Sequence, residues 1–251
     1  MAIVTGASSG IGRAIANALA GAGAMAIINH PPKPSSQAKA REVVAEIEAA
    51  GGSAFAVAAD VSKEDQVEAM FAEAVKRFGT IHIVIANAGI QRPAAIHDMT
   101  LADWQAVIDV NLTGAFLVAR AATREFLRRG PVPAMSTAIG KIIFTSSVHE
   151  IIPWSFQANY AASKGGMGML MQSLAQELAP LRIRINSVAP GAIQTSINHG
   201  AWQAEAARQD LLQLIPYGRV GVPEDIARAV TWLASDASDY VTARLWSLTA
   251  A

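Results

Sequence analysis

Cysteine is absent from this 251-residue chain. That excludes disulfide bonds, thiol nucleophiles and cysteine-ligated metals. An excess of charge is also missing, because 20 basic side chains balance 20 acidic ones and the formal net charge is +0. Such a balance leaves no electrostatic footprint for nucleic acid or for an anionic membrane, and neither is expected as a partner. Histidine is sparse, at positions 30, 82, 97, 149 and 199. No two of these have paired metal-ligand spacing, so no metal site is expected. The chain lacks an uninterrupted apolar run of the roughly 18 residues that a membrane span needs. It also lacks the basic stretch followed by an apolar one that marks a secretory signal. A cytoplasmic protein acting on a small molecule is the default expectation.

What is present is apolar residue, at 52% of the chain, enough for a sheet buried on both faces. Apolar runs predict strands near 2–5, 25–29, 54–59, 81–86, 141–146 and 183–188. Helical periodicity predicts helices near 11–22, 36–50, 64–78, 101–128, 159–179 and 223–234. Strand and helix alternate, which predicts an α/β fold with a doubly wound parallel sheet covered on both faces. At this length one domain is the natural count, and no repeat or linker divides the chain. Residues 31–36 (Pro-Pro-Lys-Pro-Ser-Ser) read as a stiff loop, and residues 130–140 as a long surface connection with no legible role. Residues 194–222 have the composition of a segment covering a site. Their apolar members, Trp202, Leu211, Leu212, Leu214 and Ile215, equally suit ordinary helix packing.

Near the N-terminus, Ala2-Ile3-Val4-Thr5 reads as a buried strand. Gly6-Ala7-Ser8-Ser9-Gly10-Ile11-Gly12 reads as a glycine turn, and an amphipathic helix follows. Glycine permits positive φ and close backbone approach. A helix start offers free N–H groups and a positive dipole end to a pyrophosphate. The spacing is G-x-x-x-G-x-G, and no Lys-Ser or Lys-Thr follows, which argues against a nucleoside triphosphatase loop. Asp60-Val61 and Asn87-Ala88-Gly89 end two later apolar runs, where open α/β sheets bind ligands. Asp60 also suits a helix cap.

Tyr160 and Lys164 stand four residues apart, and so on one helix face, with Ser147 thirteen residues before the tyrosine. A phenol near pKa 10 is a poor base at neutral pH. A neighbouring ammonium is expected to favour phenolate, and a nearby hydroxyl to hold a substrate oxygen against it. Together they make equipment for moving a proton to or from an alcohol or carbonyl. Tyr-x-x-x-Lys alone is a weak signal, more often a plain exposed pair on an ordinary helix than a site.

Taken together, Thr-Gly-Ala-Ser-Ser-Gly-Ile-Gly at 5–12, Asn87-Ala88-Gly89, Asn111, Ser147, Tyr160, Lys164 and Pro190-Gly191 resemble the short-chain dehydrogenase/reductase family in order and spacing. The resemblance runs from Ala2 to about Thr242. Within that family, Ser146-Ser147-Val148-His149-Glu150, Ile152-Pro153-Trp154, Tyr160 to Met167, Gly191 to Thr195 and Ile197-Asn198 look like the bacterial glucose 1-dehydrogenases.

The resemblance implies a single Rossmann-like domain using NAD or NADP. It implies that Tyr160 is the acid/base and that Lys164 lowers its pKa and holds the nicotinamide ribose. It implies that Ser147 orients the substrate oxygen and Asn111 helps hold a proton-relay water. A mid-helix asparagine such as Asn111 also suits simple backbone satisfaction near a bend. Cofactor contacts are implied at Gly6, Ser8, Ser9, Gly10, Ile11, Gly12, His30, Asp60, Val61, Asn87, Ala88, Gly89, Pro190, Gly191, Ile193 and Thr195, besides Tyr160 and Lys164. Where NAD enzymes carry an acid for the ribose 2′-OH, this chain has His30, with Lys33 close by and a neutral Ser9. That reads as use of either cofactor, leaning to NADP, although His30 also suits a solvated loop.

Gln91, Ser147, His149, Glu150, Trp154 and Asn198 are expected to line the substrate pocket. The leading expectation is hydride transfer between nicotinamide and a sugar, most concretely glucose at C1. A reductase of another ketone, including 3-oxoacyl thioesters, and a catalytically weak cofactor-binding protein are the alternatives. The resemblance implies a homo-oligomer, a tetramer in many members. Two departures stand out. Only five residues precede Gly6, which predicts a shortened first strand. After Thr242 the family's Gly, strand and Asp-Gly-Gly give way to the run 243–251, which still suits a last strand but leaves the subunit interface and a tail-closed pocket in question.

Overall fold

The computed structural model of the chain describes residues 1–195 and 205–249. Among them, seven strands form one parallel sheet: β1 Ala2–Val4, β2 Ala26–His30, β3 Ala54–Ala58, β4 Ile83–Ala86, β5 Gly140–Thr145, β6 Ile183–Pro190 and β7 Leu245–Leu248. Their order is β3-β2-β1-β4-β5-β6-β7. The order reverses between β1 and β4, and in such sheets that crevice at the carboxyl ends of the strands receives ligands. The helices are α1 Gly10–Gly21, α2 Pro34–Ala49, α3 Glu64–Phe78, α4 Leu101–Ile108, α5 Gly114–Arg129, α6 Ala158–Leu178, α7 Glu205–Gln213 and α8 Pro223–Ala234.

Successive strand residues face opposite sides of the sheet, and the core divides accordingly. Ile3, Ile27, Val84, Ile142 and Phe144 pack towards α3, α5 and α6. Val4, Ile28, Ile85 and Ile143 pack towards α1, α2 and α8 with Ile15, Val43, Ile226 and Val230. Burial on both faces explains why the strands read as continuous apolar runs rather than alternating ones.

Several features refine the sequence expectations. The single helix predicted over 101–128 is α4 and α5 joined by a π-helical turn, Asp109–Thr113. By length and mean hydropathy the combined stretch 101–129 would suffice to cross a membrane, but half of its most apolar window is buried inside the fold. The connection 130–140 has a partner: Ser136 and Thr137 donate to the carboxylates of Asp236 and Asp239, each at 2.6 Å. The tail that breaks the family pattern still completes the sheet, since β7 pairs in parallel with β6 from Ser187↔Leu245 to Pro190↔Leu248. Trp246 of β7 meets Trp232 of α8 edge-on, with ring centroids 5.4 Å apart. Strand β1 is short, at three residues.

Candidate active site

The glycine turn follows from its backbone. Gly6 and Gly10 have φ of +63° and +55°, a region that L side chains rarely adopt. A Cβ on Gly6 would lie 2.9 Å from Ala88 Cα, and one on Gly12 would lie 2.5 Å from Gly6 O. The turn is therefore packed directly against Asn87-Ala88-Gly89. Two residues outside the sequence-based set hold it there. Thr5 Oγ1 accepts the N–H of Asn87 at 2.9 Å and of Ala88 at 3.0 Å, while Asn87 Nδ2 donates to Thr5 O at 2.8 Å. Asn29, 1% exposed, accepts Gly6 N–H through Oδ1 at 3.2 Å and donates to Ala59 O at 3.0 Å. The signal for both was visible as a polar residue closing an apolar strand.

At the start of α1, Ser9 makes no side-chain cap and no acidic residue occupies the first turn. Orphan N–H groups and the positive helix end are left to an outside anion. That fits the pyrophosphate of a dinucleotide. The other implied cofactor residues stand at or just after the carboxyl ends of the strands. Ser8 is buried. A Cβ on Gly10 would lie 3.6 Å from Thr195 Cγ2. Ile193 bridges to Gly221, and Gly191 N–H donates to Leu248 O at 3.1 Å, so β7 fixes the Pro190-Gly191 turn. Val61 packs on Gly114, whose Cβ would lie 2.8 Å from Val61 Cγ2. Asp60 accepts from Ser62 N–H at 3.0 Å and Ser62 Oγ at 2.8 Å, the local turn-forming role. His30 is 2% exposed, and its Nδ1 lies 2.8 Å from Pro31 O. A carbonyl only accepts, so Nδ1 carries the proton in that bond. The solvated-loop reading of His30 is thereby excluded.

Across the crevice, β5 ends at Thr145 and delivers Ser147, while α6 delivers Tyr160 and Lys164. Ser147 and Gln91 stand around the Tyr160 hydroxyl and favour its ionised form. Burial raises the phenol above its ordinary value, and Ser147 and Gln91 pull it back down. The expected lowering by Lys164 is not what governs the protein alone. Lys164 is 3% exposed, its Nζ donates to Thr145 O at 2.8 Å, and burial lowers it from 10.5 to about 8. Desolvation here acts against both charged forms. Lys164 Nζ stands 5.6 Å from the Tyr160 ring centroid.

Asn111 sits in the π-helical turn, fully buried. It accepts Ile90 N–H at 2.8 Å and donates to Ile90 O at 3.0 Å and Ser163 Oγ at 3.1 Å. Ser163, also missed from sequence, donates to Tyr160 O at 2.7 Å. π-turns of this kind occur frequently at functional sites.

Of the expected substrate residues, Gln91, Ser147 and His149 gather at Tyr160. The His149 ring lies 6.4 Å from that of Tyr160 and 4.4 Å from that of Trp154. Glu150 is set apart from them. It accepts from Ser146 Oγ at 2.5 Å, and its side chain lies over Gly168 of α6. Asn198 lies outside the described residues, as does part of the segment expected to cover the site. A cavity of about 420 Å³ lined by Ile90, Gln91, Arg92, Pro93 and Asp103 opens beside Gln91. Near it, Ile151, Ile152, Trp154 and Phe156 are 71%, 56%, 49% and 65% exposed.

Comparison with known proteins agrees with this geometry. A family model described as enoyl-(acyl carrier protein) reductase matches residues 6–247. The 3beta-hydroxysteroid dehydrogenase 1 of Eggerthella lenta is 47% identical over 96% of this chain and 88% of its own. Glucose 1-dehydrogenase 2 of Bacillus subtilis is 39% identical over 96% of this chain and 90% of its own. The crystal structure of a gluconate 5-dehydrogenase from Burkholderia cenocepacia, in complex with NADP and tartrate, superposes with a TM-score of 0.89. It is 34% identical, over 99% of this chain and 93% of its own. A glycine turn with an uncapped helix start, a Ser147–Tyr160–Lys164 cluster facing it across the crevice, and relatives matching nearly end to end establish the chain as a member of the short-chain dehydrogenase/reductase family of oxidoreductases.

Proposed function

We propose that the chain is an NAD(P)-dependent dehydrogenase in which Tyr160 exchanges the proton of an alcohol or hemiacetal. The observation that carries this reading is Tyr160, with Ser147 and Gln91 around its hydroxyl and the buried Lys164 Nζ 5.6 Å from its ring centroid. A bound nicotinamide cofactor supplies the hydride acceptor or donor. The chain's own residues do the rest. The α1 start, Asn87 and Gly191 hold the cofactor, and Thr5 and Asn29 keep the turn in shape. Ser147 orients the substrate oxygen, and Lys164 supports the phenolate when Tyr160 gives up its proton. Asn111 fixes the Ile90-Gln91 segment and supports a proton relay.

For the substrate, the polar inner groups Gln91 and His149 favour a sugar, most concretely glucose at C1, as does the similarity to the Bacillus enzyme. A second reading has a specific observation behind it. The exposed apolar rim of Ile151, Ile152, Trp154 and Phe156 suits a larger apolar alcohol, and the Eggerthella relative is a hydroxysteroid dehydrogenase by name. Cofactor absorbance with glucose, gluconate and a 3β-hydroxysteroid separates the two. The absence of an acid at His30, and Lys33 at the start of α2, favour NADP while permitting NAD. Exposed Phe116, Leu127 and Met169 on α5 and α6 favour a homo-oligomer, a tetramer by family habit. A cytoplasmic location completes the reading.

A further inference from the structure

Glu150 follows the candidate catalytic serine by three residues, yet its side chain turns back into the protein. Ser146 Oγ donates to its Oε2 at 2.5 Å. Its Cγ lies 3.0 Å from where a Cβ on Gly168 would stand, and its Cδ and Oε1 are nearer still. A side chain at 168 and the Glu150 carboxylate exclude each other, so Gly168 leaves a notch that the carboxylate fills. Gly168 is one helical turn beyond Lys164 and so lies on the same face of α6. A partly buried carboxylate held over that face invites a cationic partner, and Lys164 is the cation at hand.

Among the described residues, the other groups around Lys164 offer no competing charge. Strand β5 gives it only the carbonyl of Thr145. In the π-helical turn, neutral Asn111 is bonded to Ile90 and Ser163, and Asp109 accepts from Gln105 at 2.7 Å. On α4, Asp103 pairs with Arg92 at 3.5 Å. His149 turns its ring to Trp154 and Tyr160. On β6, Arg184 is committed to the carbonyls of Leu233 and Ser235.

We propose that Glu150 is a positioning residue: its carboxylate, seated in the Gly168 notch, is the counter-charge that keeps Lys164 an ammonium and so holds it on Thr145. The electrostatics run the same way, since burial lowers Lys164 and Glu150 raises it, while burial raises Glu150 and Ser146 and Lys164 lower it. Glu150 thereby sets the upper pH at which the site keeps its positive charge. This rests on the dehydrogenase reading only for its kinetic consequence.

The test is a lysine titration that needs no activity. The chain has six lysines, so protein labelled with ¹³Cε-lysine gives a simple NMR spectrum, in which Lys164→Met identifies the Lys164 signal. The wild-type midpoint should lie at about 8. In Glu150→Gln it should fall by up to about one pH unit, the effect of losing an opposite charge that makes no direct ion pair. Gly168→Ala expels the carboxylate without deleting it and should move the midpoint the same way. Ser146→Ala, the mildest change, should move it less. Should Glu150→Gln fail to fold, the other two variants decide. A midpoint that stays in place in a folded Gly168→Ala or Glu150→Gln protein overturns the proposal. In the kinetic arm, Glu150→Gln should lose kcat on the alkaline side with KM little changed. A raised KM with an unmoved midpoint would instead make Glu150 a substrate contact. If no substrate is found at all, the dehydrogenase reading fails while the titration still stands on its own.

Discussion

Asn111 grips Ile90 from both sides, accepting its N–H at 2.8 Å and donating to its carbonyl at 3.0 Å. The grip fixes the next residue, Gln91, whose side chain faces the Tyr160 hydroxyl. Asn111→Asp keeps the acceptor but turns an oxygen on the Ile90 carbonyl. Loss of a buried hydrogen bond with an unsatisfied partner costs about 1–3 kcal/mol. Denaturant unfolding should show a loss of that size, with a lower kcat. Unchanged stability and rate would show that the grip has no consequence.

Tyr160→Phe removes one hydroxyl and leaves the ring beside His149. Turnover should drop by about 10²–10⁴-fold, the usual contribution of general acid–base catalysis, while cofactor affinity stays within a few-fold. Fluorescence titration with reduced cofactor checks the second half. A variant near the wild-type rate would remove Tyr160 from the mechanism.

Lys164 carries a stability cost with a defined pH window. Its value falls from 10.5 to about 8 on folding, so between those values the unfolded chain binds the extra proton and stability rises with pH. Below about 8 the full cost is present, on the order of 3 kcal/mol. Lys164→Met removes the charge and should melt higher than wild type at pH 7. That advantage should shrink as pH rises from 8 towards 10.5. Scanning calorimetry of both proteins from about pH 6 to about pH 10.5, which takes in that window, is the measurement. An advantage that does not vary with pH would show that Lys164 is not desolvated.

Cofactor choice is better probed at Lys33 than at His30, because an acid placed at the 2%-exposed His30 position would also be buried. Lys33→Glu puts a negative charge at the exposed start of α2. The NADP-to-NAD ratio of kcat/KM should fall by about tenfold or more, as expected when an acid faces a 2′-phosphate. An unmoved ratio places the ribose elsewhere.

Trp246 anchors the last strand on Trp232. Trp246→Ala should cost about 2 kcal/mol through lost apolar burial of a half-buried ring and loosen β7. Since Leu248 holds Gly191, cofactor affinity should weaken too. Amide exchange in β6 and β7 reads the first effect and cofactor titration the second. Unaltered exchange would show that the edge does not depend on this ring pair.

The sequence by itself determined the alternation of strand and helix, the glycine turn and the Ser147, Tyr160, Lys164 set. Each depends on local spacing: a two-residue or 3.6-residue period, positive φ at Gly6 and Gly10, or one helical turn between Tyr160 and Lys164. It did not reveal the π-turn around Asn111, because that turn is stabilised by bonds to Ile90 and Ser163, 21 and 52 residues away. It misplaced Glu150, whose neighbour Ser147 faces the crevice, because the notch that receives Glu150 belongs to a glycine on another element. It left the 243–251 tail in question, because β7 exists through pairing with β6 and packing on α8 rather than through its own pattern. The direction of the Tyr160 shift likewise belonged to the tertiary structure. A lysine one turn away predicts a lowered phenol, but burial, which no local spacing encodes, acts on both groups and prevails.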